Sequence, residues 1–131
     1  MSTTYGMSRQ TGLSFEEANE RIRAVLKEQG FGVLTEIDLQ GALREKLGKE
    51  VQPYVILGAC NPPLADRAIA AEPSIGLLLP CNVVIRQTDN GVVVEAMDPE
   101  AAMGIVDNPE VTEVAAEARR RLAAALDALE A

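Results

Sequence analysis

At 131 residues and 47% hydrophobic, the chain has the size and apolar content of one domain with one ordinary core. Its formal net charge of −8 at pH 7 sets the surface against polyanions, because phosphate neutralisation needs clustered Lys and Arg, so neither nucleic acid nor an anionic membrane is an expected partner. The absence of histidine removes Ser-His-Asp and Cys-His pairs, the usual general base near neutral pH and the commonest zinc ligand.

In chain order, Thr3 to Ser8 reads as a short first strand, with Gly12 breaking the chain before the first helix. Ser14 and Glu17 form a capping box, in which each side chain accepts from the other residue's backbone N–H. Phe15, Ala18, Ile22, Val25 and Leu26 recur at helical spacing until Gly30 stops the helix. Phe31 to Ile37 is the expected second strand, with Phe31, Val33 and Ile37 on one face, Gly32 and Glu36 on the other, and Leu34 as the exception. Asp38 caps a short helix whose Leu39, Leu43 and Leu47 form a narrow stripe, fit to dock on the sheet or on a second subunit.

Tyr54 to Cys60 is nearly all apolar, the pattern of a strand inside a sheet. Asn61-Pro62-Pro63 turns it into a third helix, with asparagine as N-cap and proline at the first helical position, and Glu72-Pro73 ends that helix. Beyond Ile75 to Leu79, Pro80 breaks any ladder, and Asn82 to Gln87 reads as a strand entering a hairpin at Asn90-Gly91. With those two residues as the whole loop, Asp89 faces Val92, Arg86 pairs with Glu95 and Ile85 with Ala96. Val83, Ile85, Val94 and Ala96 then share the core side, and Cys81 has their parity. Asp98-Pro99 opens a short turn through Gly104. Asn108-Pro109 starts the last helix, whose stripe from Val111 through Leu122 to Leu129 is long enough to cover a sheet face. The element order is β-α-β-(α)-β-α-β-β-α, an α+β domain over residues 1–131 with no internal repeat and no interior boundary.

The N-terminus lacks the basic and apolar regions of a secretory signal, and no apolar run reaches the ~18 residues that cross a bilayer, which points to a cytoplasmic protein. Two cysteines do not make a secreted disulfide scaffold. Arg119-Arg120-Arg121 lies among Glu113, Glu117, Asp127 and Glu130 and reads as a solvated helix face. Paired carboxylates such as Glu16 with Glu17, or Glu36 with Asp38, fit helix starts and turns. The glycines form no phosphate-binding pattern, and no cofactor is expected.

At Gly58-Ala59-Cys60-Asn61-Pro62-Pro63-Leu64-Ala65, and again at Leu79-Pro80-Cys81-Asn82-Val83-Val84, the chain resembles a bacterial and archaeal family, domain of unknown function 302. The resemblance runs from the first strand to the last helix. It implies a compact α+β domain with helices packed on one side of an antiparallel sheet, and a homodimer. It supplies no catalytic residue.

The candidate site therefore rests on chemistry alone, at Cys60, Asn61 and Cys81. Cys60 stands where a strand meets a helix N-terminus, whose amides favour thiolate. The structural alternative is that both cysteines are small buried hydrophobes. Two functional readings stand beside it. One is a non-catalytic domain, dimeric, that binds a small ligand or a protein partner. The other is a thiol-dependent protein that handles redox equivalents, sulfur or a soft metal through Cys60 and Cys81. A conventional enzyme has the least support.

Overall fold

Five strands carry the structure: β1 (Gly6–Thr11), β2 (Gly32–Asp38), β3 (Tyr54–Cys60), β4 (Cys81–Thr88) and β5 (Gly91–Met97). They lie in the order β1-β5-β4-β3-β2, each neighbouring pair antiparallel. The helices are α1 (Phe15–Glu28), α2 (Leu39–Leu47), α3 (Pro62–Ala71), α4 (Pro99–Met103) and α5 (Pro109–Asp127), with a 3-10 turn over Pro73–Leu78. This computed structural model describes residues 3–130; residues 1, 2 and 131, which the single-domain expectation takes in, lie outside the described residues.

Register divides the sheet into two faces. Met7, Ala96, Val83 and Leu57 form one row across it and Val94, Ile85 and Val55 the next, all of them buried. Against these rows pack the stripes of α1 (Ala18, Ile22, Val25, Leu26) and α5 (Val111, Val114, Ala115, Ala118, Leu122, Ala125, Leu126). Fully burying a side chain such as Leu122 or Ile22 contributes about 2 kcal/mol, so this layer is the main source of stability. The opposite face carries Ser8, Glu95, Val84, Ile56 and Ile37 in one row and Gln10, Val93, Arg86 and Tyr54 in another. The stripes of α1 and α5 leave it bare.

The caps hold as the sequence predicts. Ser14 accepts from Glu17 N and Glu17 from Ser14 N, Asp38 accepts from Gly41 N, and Asn108 accepts from Glu110 N. Arg120 and Arg121 pair with Glu117, and Arg119 with Asp98 and Glu100, so the arginine run is a solvated face.

Four details differ from expectation. The first strand starts at Gly6 rather than Thr3, because its ladder follows β5 from Gly6 opposite Met97 to Thr11 opposite Val92. In β2 the register shifts between Val33 and Thr35, which reverses the parity beyond Leu34: Glu36 joins the helix-covered face, where it pairs with Arg23 of α1, and Ile37 turns to the bare one. The hairpin loop is Asp89-Asn90, with Thr88 opposite Gly91, because the Thr88 hydroxyl closes the turn by donating to Gly91 O and accepting from Asn90 N. That moves the register by two residues, so both faces survive; Arg86 sits opposite Val93 and reaches Glu95 diagonally at 2.7 Å. Finally, residues Pro99–Met103 form a short helix where a turn was expected.

Candidate functional site

At one end of the helical layer the packing opens. α3 rests mainly on α5 and on the 3-10 turn that follows it. Between α3, the first half of α5 and the ends of β2, β3 and β4 lies a cavity of about 390 Å³. Its walls explain the space: Ala65 and Ala68 on the inner side of α3, Ala118 on α5, Ala59 on β3 and Gly76 in the 3-10 turn all present small groups where a core would present Leu or Ile. Larger apolar side chains, Phe31, Leu64, Met103 and Val114, complete the walls, and Leu34 and Ile69 stand at the rim, 67% and 47% exposed. Among the described residues, no charged one lines the cavity.

Both cysteines line it. Cys81 opens β4 on the helix-covered face, 5% exposed, as its parity predicts. Burial, and then the neighbouring Cys60, push its thiol up to about 11, so it stays protonated at neutral pH. Cys60 is the last residue of β3 and is half-buried. Ala59 is the residue directly opposite Cys81, so Cys60, one residue further along β3, has the opposite parity, that of Gly58 and Ile56.

Asn61 is brought to the same place for a structural task. Its Oδ1 accepts from Leu64 N at 3.2 Å, and its Nδ2 donates to Gln29 O, which also accepts from Arg121 of α5. The side chain thus caps α3 and ties its first turn to the C-terminus of α1. Gly30, at φ 84°, leaves room for that amide: a Cβ there would stand 2.9 Å from Asn61 Nδ2. The helix start offers Cys60 less than its position promises. Pro62 and Pro63 have no N–H, the Leu64 N–H is taken by the cap, and the Ala65 N–H is bonded to Asn61 O.

Met103, Ala68 and Ala118 are cavity residues that the sequence reading passed over. The signal was there for the alanines, which sit on the apolar stripes of α3 and α5 in place of the expected large side chains. Met103 had none, since its part in the site depends on how α4 packs on α5.

Among the described residues no group of three His, Cys, Asp or Glu could hold a metal, and no helix is long and apolar enough to cross a membrane. A family model described as "Domain of unknown function DUF302" matches residues 7–129. No curated protein matches the chain. Among solved structures, an uncharacterized conserved protein DUF302 from Bacillus stearothermophilus is 32% identical, with a TM-score of 0.89 over 95% of this chain and 98% of that one.

Proposed function

The chain belongs to the DUF302 family, whose function is unknown, and from that premise we propose that it is a non-catalytic protein that binds a small, uncharged, apolar ligand in the cavity under α3. The observation that carries this reading is the combination of a volume of about 390 Å³ with walls free of charge. Small-molecule sites fall in roughly the 300–1,000 Å³ range and are lined mostly by apolar groups. A net charge of −8 further disfavours anionic ligands. The two free thiols suit the reducing cytoplasm.

N-Phenyl-1-naphthylamine, an uncharged fluorophore that brightens in apolar surroundings, tests the reading. The wild-type protein should bind it saturably at one site, and Ala68→Leu, which fills the cavity from α3, should abolish that binding while keeping the thermal midpoint. Absent binding, or equal binding by the variant, contradicts the reading.

A second reading concerns assembly, and the charge of the bare sheet face favours it. On a chain of −8, the strand residues of this face include one positive and one negative side chain, Arg86 and Glu95, which neutralise each other at 2.7 Å. Around them stand Ile37, Ile56, Val84 and Val93. Such a face can meet a second copy of itself without like-charge repulsion, as a two-fold dimer requires. Sedimentation equilibrium should give a dimer for wild type and a monomer for Val84→Lys; a monomeric wild type refutes the dimer.

A further inference from the structure

We infer that the open edge of β2 and the cavity beside it together form a docking groove for an extended peptide with Lys or Arg at its ends and an aliphatic anchor such as Leu between them. The inference rests on the ligand reading for one point, that the cavity admits an apolar group. The rest comes from how the fold treats its two edge strands, β1 and β2. At β1, Arg9 pairs with Asp127 at 2.8 Å, the Thr11 hydroxyl donates to the Glu130 carboxylate, and Gly12 N donates to the same carboxylate at 2.8 Å, so the end of α5 and the residues after it are tied to that edge. Every residue of β2 except Val33 is exposed. β2 pairs with β3 alone, and the N–H and C=O groups on its other flank are open to a further strand.

The cavity reaches this edge. Leu34 and Thr35 of β2 line it together with Ala65 and Ile69 of α3, and Leu34 and Ile69 are its exposed rim. The bulge between Val33 and Thr35 twists the edge where Leu34 meets the rim and leaves residues 35–38 as the regular stretch. A strand added there sets its side chains alternately to the two sides of the sheet, and the helix-covered side is where the cavity can take an apolar one. Main-chain bonds then supply affinity and the cavity selects the side chain, the division of labour in β-strand addition.

Charge selects the occupant. The charged side chains of β2 are Glu36 and Asp38, and those of α3 are Asp66 and Arg67. Glu36 is paired with Arg23, and Arg67 with Glu110 and Glu113, whereas among the described residues Asp38 and Asp66 have no basic group within ion-pair distance. On a chain of −8, a second copy of β2 would bring like charge to this edge, and a peptide with basic ends brings the opposite charge.

Fluorescence anisotropy with the blocked, end-labelled peptide KTVLVTK, paired with amide hydrogen exchange of the full-length protein, tests the groove. Wild type should bind the peptide saturably, and exchange of the outward amides of residues 35–38 should slow by about tenfold or more. The peptide KTVSVTK, which lacks the anchor, should bind about tenfold or more weakly, and Ala68→Leu, which fills the cavity, should weaken KTVLVTK to the same degree. The peptide ETVLVTE should bind about threefold more weakly than KTVLVTK at low salt. No peptide binding by wild type, binding that leaves exchange in β2 unchanged, or equal binding of KTVSVTK or ETVLVTE would overturn the inference. Protection of β2 that grows with protein concentration alone would assign the edge to a second copy and overturn it too. Naphthylamine binding is read separately: dye binding without peptide binding leaves the ligand reading and sinks this one, and peptide binding with β2 protection but no dye binding does the opposite.

Discussion

The two ends of the helical layer are built from the same elements and are packed in opposite ways. At one end α1 and the second half of α5 set Ile22, Leu26, Leu122 and Leu126 directly on the sheet, each at most 3% exposed. At the other, α3 and the first half of α5 turn alanines inward, and a cavity of about 390 Å³ remains. Since native cores pack at crystal-like density and empty space forfeits contacts, an apolar hollow of this size is a cost; the hollow of about 430 Å³ beside α1 and the end of α5 is instead lined in part by Glu17, Glu20, Arg21 and Glu130. The packed end supports the molecule, and the hollow end is the part that the proposed ligand reading draws on.

Leu122→Ala should break the packed end most severely, with a loss of about 2–5 kcal/mol in urea unfolding; a loss under about 1 kcal/mol would erase the contrast. At the hollow end the largest effect should be alkaline. The Cys81 thiol ionises near 9 when unfolded and near 11 in the fold. Its contribution is therefore fully present below about pH 9 and is lost as the pH rises through 11, because the unfolded chain gives up the proton first. Between about pH 8 and pH 11, wild type should lose roughly 2–3 kcal/mol more than Cys81→Ala, and parallel curves would place that thiol in a more solvated site.

Gly58→Ala sharpens the comparison at the cavity's outer lip. A Cβ there would strike Thr35 Oγ1 and come within 2.8 Å of the Pro80 ring, so about 1–3 kcal/mol should be lost on unfolding. The smallest effect belongs to Ala68→Leu, an enlargement that a dense core would resist. Because the cavity can take the added methyl groups, it should change stability by less than about 1 kcal/mol. A larger loss would mean that α3 already closes on the sheet.

Most of the frame was legible because its signals are local. The capping box at Ser14 and Glu17, the Asn61-Pro62 helix start and the stripe of α5 each follow from neighbouring residues. The antiparallel sheet with helices on one side followed from the family resemblance. What was not legible depends on contacts across the fold. Leu34 reads as an exception within an alternating strand, and only pairing with β3 reveals the bulge that sends Glu36 to Arg23. Asn90-Gly91 reads as a hairpin loop, yet the Thr88 hydroxyl pulls the loop back to Asp89-Asn90. At the site, Cys60, Asn61 and Cys81 could be named from sequence, but the proline pair beside Cys60 was read as a helix start and not as the removal of two amide donors. The cavity itself is set by which small residues face one another, and that is a property of packing.

Methyl-resolved NMR of the full chain, titrated with N-phenyl-1-naphthylamine, puts the difference between the two ends to the most direct test. The ligand reading predicts that the methyl signals of Leu64, Ala68, Met103, Val114 and Ala118 move together and saturate, while those of Ile22, Val94 and Leu122 stay in place. Signals that move equally at both ends, or do not move at all, would contradict it.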